Sequence, residues 1–230
     1  MTGPAPGSLP IPAPEPAASP ASVPPAPRQV LLDTSVLAPE PLWLWTLALT
    51  DGIPEESRPR LLITDGVIHE LRHALRRIDP RLDRALASQA AHLRIDSLTR
   101  EDAGEPTAPP RSHVLDPDDA HLDEAALRLG IDVLVSDDVH AFAPLPDTLR
   151  GYALWTADRF LCALADEHDL DLVAAHARYR TRSADVTDAL GLDPAPGSAS
   201  HRLRRSRAHR FATRVARALR RAPSGGPHPG

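Results

Sequence analysis

Four short stretches of this chain place carboxylates where apolar segments end or helices begin. In Val30-Leu31-Leu32-Asp33-Thr34-Ser35 an aspartate directly follows an aliphatic run, and carboxylates are seldom fully buried without a partner. Glu70 stands about a turn and a half into the segment after "LLIT". Asp119, in "DPDDAH", begins the stretch that feeds a second aliphatic run, and Asp137 and Asp138 end that run as "VLVSDD". If these runs are parallel strands, the acids collect at the carboxyl edge of the sheet, where open α/β folds bind ligands. Carboxylates crowded there repel one another strongly and stay ionised together only if divalent cations neutralise them. Hard oxygen donors select Mg²⁺ or Mn²⁺. One or two such ions can activate a water and stabilise a leaving oxygen, which suits hydrolysis of nucleic-acid phosphodiesters.

The elements that would position these acids are legible as an alternation. Strands are expected over 29–33, 60–64, 93–99, 131–136 and 152–155. Between them, an apolar stretch around Trp43 and Trp45 reads as helical, and Val67, Leu71, Leu75 and Ile78 recur at helical spacing over 65–78, with Thr64 as N-cap. A further helix is expected at about 80–92. Another runs up to Gly130, and a last one, capped by Thr156, runs to about Asp166. Residues 100–112 read as a loop from their Pro and Gly content. Strands alternating with helices indicate an α/β fold with a parallel sheet covered on both faces.

Residues 1–28 carry ten prolines among Ala, Ser and Gly, a composition that cannot bury enough apolar surface to offset ordering, and disorder is expected there. The globular part is expected over 29–168, a helical extension and linker over 169–200, and an Arg-rich tail over 201–230. The net charge is −5, yet residues 201–230 hold nine Arg and no acid, leaving −14 for the rest. An acidic body repels phosphates unless cations intervene. The tail is open to three readings: a solvated segment, an amphipathic helix docked on an acidic surface through Phe211, Val215 and Leu219, or a contact for RNA phosphates.

Cys162 is the one cysteine, which rules out an intramolecular disulfide and a cysteine-based zinc site. The amino terminus lacks the basic start and apolar run of a secretory signal, and "PLWLWTLAL" is too short to span a bilayer, so a cytoplasmic, non-membrane protein is expected. Eight aromatic residues disfavour a single-strand reader built on base stacking, and the three tryptophans read as core. Taken singly, each acid has an ordinary explanation: Asp33 as a helix cap, Glu70 as a solvated side chain, Asp119 as a complement to a helix N-terminus, Asp137-Asp138 as a polar turn. His69 and His73, at i and i+4, lack the H-E-x-x-H arrangement and read as solvated or packed.

In their order, "VLLDTSVL", "ITDGVIHEL", "DPDDAHLDEAALRLGIDVLVSDD" and "YALWTADRFL" resemble the motifs of PIN-domain ribonucleases, a group that includes the VapC-type toxins of toxin–antitoxin pairs. The resemblance covers about residues 29–165. It implies a three-layer α/β/α sandwich around a roughly five-stranded parallel sheet. It also implies catalytic metal ligands at Asp33, Glu70, Asp119 and Asp138, with Thr34 and Ser35 as supporting hydroxyls and Asp118 and Asp137 as neighbours. The implied activity is Mg²⁺- or Mn²⁺-dependent endoribonuclease action on an RNA substrate, with an antitoxin-like protein partner and a homodimer as further expectations. The alternative is a non-catalytic PIN-like module that binds RNA or protein. A HAD-like fold would want a second aspartate two residues after Asp33, and a receiver-like fold a strand-end lysine; the chain has Thr-Ser after Asp33 and no lysine at all.

Overall fold

The computed structural model describes residues 29–101 and 114–222; the proline-rich arm, most of the 100–112 loop and the last eight residues lie outside them. The chain enters through β1 (Gln29–Leu32), turns at Asp33 into the single-turn α1 (Thr34–Leu37), and continues as α2 (Glu40–Thr50). Next come β2 (Arg60–Thr64), α3 (Asp65–Ile78), α4 (Arg84–Ile95) and the short β3 (Thr99–Glu101). Beyond the loop, a 3₁₀ turn at Pro117–Asp119 leads into α5 (Ala120–Leu129), then β4 (Val133–Val135), α6 (Asp147–Arg150), β5 (Ala153–Trp155) and α7 (Ala157–Glu167). Three more helices follow: α8 (Leu172–Leu190), α9 (Ala199–Arg205) and α10 (His209–Arg221).

All five strands pair in parallel in the order β3-β2-β1-β4-β5, with Leu31 opposite Leu62 on one side and Leu134 on the other. The sheet is buried between helical layers, which gives the expected α/β/α sandwich; Val30, Leu31, Leu32, Leu62, Ile63 and Leu134 have no more than traces of exposed surface. Near-continuous aliphatic strands are what a sheet covered on both faces requires. The chain winds outward from β1 through β2 to β3, then crosses back to β4. The strand order therefore reverses between β1 and β4, and their carboxyl ends flank the crevice where such folds place ligands.

One expected element moves. The 93–99 stretch alternates Leu93-Arg94-Ile95 like a strand, but α4 runs through Ile95, and the strand is confined to 99–101. Arg94 is the cause. It sits at helical spacing from the buried Ala87, Ala90 and Ala91, is itself 3% exposed, and stacks its guanidinium 4.5 Å from the Trp43 ring centroid. It donates to the carbonyls of Ala90 and Leu37, each at 2.8 Å, and so also fixes the end of α1. A buried guanidinium satisfied by backbone oxygens mimics the polar half of a strand pattern. Elsewhere Gly130 ends α5 in the left-handed region, φ 60°, and Thr156 caps α7 by accepting from the Arg159 N–H.

The helix after β1 is apolar on every side: Leu42 through Thr50 are all buried, a pattern that demands cover all round. The C-terminal helices supply it. The extension packs through α8 against α2, where Tyr179 stacks on Trp45 at 4.9 Å between centroids and Phe211 of α10 meets it edge-on at 5.2 Å. Phe211, Val215 and Leu203 are fully buried, and Arg214 forms an ion pair with Asp166 of α7. The Arg-rich tail is thus the docked amphipathic helix of the three readings. No helix among the described residues is long and apolar enough to cross a membrane.

Candidate metal centre

Asp33 lies at the turn from β1 into α1, with its N–H bonded to the Val135 carbonyl of β4, which fixes it beside the strand-order reversal. It is 4% exposed. Its side chain makes no helix-capping bond. Instead two hydroxyls converge on one oxygen: Ser35 Oγ donates to Oδ2 at 2.5 Å and Ser136 Oγ at 2.8 Å. Ser35 in turn accepts the Asp137 N–H at 2.9 Å, and Ser136 accepts the Asp138 N–H at 3.0 Å. The two serines therefore knit the end of β1 to the turn after β4. Glu70, projecting from α3, accepts a 3.0 Å hydrogen bond from Thr34 Oγ1.

The acids respond to one another's charge. Asp119 has its carboxyl pushed up to about 6, chiefly by burial and then by the negative charges of Asp33, Asp138 and Glu70. Asp116 adds a smaller contribution of the same sign, and the acids involved come from four separate segments of the chain. Asp137 and Asp138 separate in role. Asp137 turns away to accept the Ala157 N–H at the start of α7, at 2.8 Å, and burial raises its carboxyl while that bond and Arg207 oppose the rise. Asp138 is exposed and adds its charge to Asp119. Asp118 is exposed, and what it contributes is its backbone carbonyl, which accepts from His121 Nδ1 at 2.9 Å.

Two further side chains, Ser136 and His121, support the acids in ways that their spacing in the sequence does not mark. Ser136 was visible only as a hydroxyl in the spacing of "VLVSDD", and its bridging position needs β1 and β4 side by side. His121, half-buried, points Nε2 at Glu70 Oε1, 3.6 Å away, and lies across Gly66 so closely that a Cβ there would stand 2.4 Å from its ring. A lone histidine among acids carries little signal by itself. His69 and His73 are exposed on α3.

The donor chemistry fits a hard divalent cation: carboxylates and hydroxyls, with one carboxyl raised first by burial and then by its acidic neighbours. The coordination shell is not closed, since among the described residues no three His, Cys, Asp or Glu side chains converge tightly enough to hold a metal ion. The two observations measure different things. Charge coupling acts over several ångströms, whereas coordination requires contacts near 2 Å.

The raised Asp119 carboxyl gives a signed expectation. A carboxyl that titrates higher in the folded chain than in the unfolded one favours the folded state below its unfolded value, and that advantage is lost as pH rises to its folded value. The difference in stability between the metal-free wild type and Asp119→Asn should therefore shift against the wild type between about pH 4 and 6, and be flat above. Chemical denaturation across this range measures it. A constant difference would mean that neither burial nor the neighbouring acids raise the Asp119 carboxyl.

Comparison with family models, with curated proteins and with solved structures finds no match to this chain.

Proposed function

We propose that this protein is a divalent-metal-dependent endoribonuclease of the kind the PIN-domain resemblance implies. The observation that carries the reading is the buried Asp33 carboxylate, held by Ser35 and Ser136 at the carboxyl edge of a parallel sheet beside its strand-order reversal, with Glu70 and Asp138 tied to the same place through Thr34 and Ser136. Asp33, Glu70, Asp119 and Asp138 would hold Mg²⁺ or Mn²⁺. Such an ion, when bound, supplies Lewis-acid activation of water and neutralises charge on a phosphodiester. The chain's own groups prepare the place for it. Ser35 and Ser136 fix the orientation of the Asp33 carboxylate, Thr34 that of Glu70, and His121 closes the side facing α3. Support of this sort holds metal-binding carboxylates in productive orientation and typically matters tenfold or more.

The second reading is a PIN-like module that binds RNA or protein without cutting. One assay separates the two. Purified full-length protein is incubated with structured and unstructured RNAs in Mg²⁺ or Mn²⁺, with a chelator as control. Internal cleavage that stops on chelation supports the nuclease; RNA retained intact on the protein supports the binding module; neither cleavage nor binding rejects both. A toxin role within a cytoplasmic toxin–antitoxin pair would add growth arrest on expression, relieved by a neighbouring gene product.

A further inference from the structure

A groove of about 840 Å³ has Ser35, Asp137 and Asp138 at one end, where Asp138 alone is shared with the four acids, and runs from there between α3 and α4 on one side and the C-terminal helices on the other. Its floor is apolar, with Leu75, Leu82 and Leu190 among the lining residues. Its far wall comes from α9 and the corner that follows, which present Arg202, Arg205 and Arg207. Two of the arginines on the lining are paired with acids. Arg202 is matched by Glu40, 2.6 Å away, and Arg81 by Asp79, at 2.8 Å. Arg205 and Arg207 are exposed and form no ion pair among the described residues, while Asp193 is the one further acid on the lining.

The ion pairs that anchor the tail do not include these two arginines, although the charge of Arg207 reaches the Asp137 carboxyl at the groove's mouth. Leu203 and the Arg202–Glu40 pair anchor α9, and Phe211, Val215 and the Arg214–Asp166 pair anchor α10. Arg207 also occupies the left-handed region, φ 64°, where glycine would sit without the steric penalty of a side chain. The corner thus keeps a cation at an unfavourable backbone position, next to a groove that ends in carboxylates. An acidic centre repels the phosphates of its substrate, and cations must be placed along the approach for a polyanion to reach it.

We propose that this groove carries single-stranded RNA to the acidic centre, with Arg205 and Arg207 on its phosphates and the apolar floor beneath its bases. This rests on the ribonuclease reading and deepens it, because the segment beyond the sheet becomes part of substrate binding. The groove is of the size of small-ligand sites, which admits a few nucleotides of a single strand and no duplex.

Binding is read in full-length Asp33→Asn, so that the RNA stays intact, by anisotropy of a short labelled single-stranded RNA at several salt concentrations. Adding Arg205→Gln and Arg207→Gln should weaken binding on the order of tenfold and lower the log–log salt slope by about 1.4, the sum for two single-strand phosphate contacts. Arg220→Gln with Arg221→Gln removes equal charge from the end of α10, off the groove, and should change affinity far less. Unchanged binding in the groove pair, or equal loss in both pairs, overturns the inference. If the wild type cleaves RNA while the groove pair binds like its parent, only the groove assignment falls. If the wild type cleaves nothing and the parent binds nothing, the ribonuclease reading falls with it.

Discussion

Asp33→Asn is expected to lower metal-dependent RNA cleavage by about a thousandfold or more, since a catalytic cation is worth several kcal/mol in the transition state. The same substitution should not destabilise the metal-free protein. The Asn side-chain oxygen still accepts from Ser35 and Ser136, the shape is unchanged, and one negative charge leaves a cluster whose members repel. Its melting temperature without metal should equal or exceed that of the wild type, and the rise that Mn²⁺ gives the wild type should be lost. Loss of function with retained or increased stability is the mark of a residue kept for chemistry rather than for folding. A variant that cleaves RNA normally contradicts the assignment. So does one that is inactive only because it unfolds, which would make Asp33 structural.

The largest stability effect is expected far from the acids. Phe211 is fully buried, meets Trp45 edge-on at 5.2 Å, and stands in the same cluster as Tyr179. Phe211→Ala should cost about 3–5 kcal/mol, the transfer free energy of the ring plus the cavity left in a packed site. Native stabilities are commonly about 5–15 kcal/mol, so that is a large share of the whole. Urea denaturation would register it as a lower midpoint with an altered Trp45 environment. Leu219, in the last turn of α10 and only partly buried, should lose much less on truncation to Ala. A loss below about 1 kcal/mol at Phe211 would mean that the tail adheres to a core complete without it.

Much of this architecture is written locally. Strands β1 and β2 and helix α3 follow from aliphatic runs and from Val67, Leu71 and Leu75 at helical spacing, and the structure places them at the expected residues. The displaced element, α4 with β3, fails for a physical reason. Arg94 is buried by tertiary contacts with Trp43 and the end of α1, and no sequence window marks a cation for burial. The tail shows the same limit from the other side. Phe211 and Val215 announce an apolar stripe, but only the fold reveals that a helix apolar on all sides, α2, needs them as cover.

The candidate site divides in the same way. The order of Asp33, Glu70, Asp119 and Asp138 along the chain is a sequence property. That Asp119 feels the other three is a property of strand order. Ser136 lies 103 residues from the Asp33 it supports, and His121 sits on a different helix from Glu70, a kind of support invisible without the sheet. Asp137 against Asp138 could not be separated by spacing, because both follow β4 directly. The α7 N-terminus takes the first and leaves the second to the acids.

Anomalous scattering from crystals of the full-length protein soaked in Mn²⁺ addresses the metal directly. A manganese peak bound by carboxylate oxygens of Asp33, Glu70, Asp119 and Asp138, at distances of about 2–2.3 Å, is the expected result. Four carboxylates that remain apart at saturating Mn²⁺, with no peak among them, would contradict it.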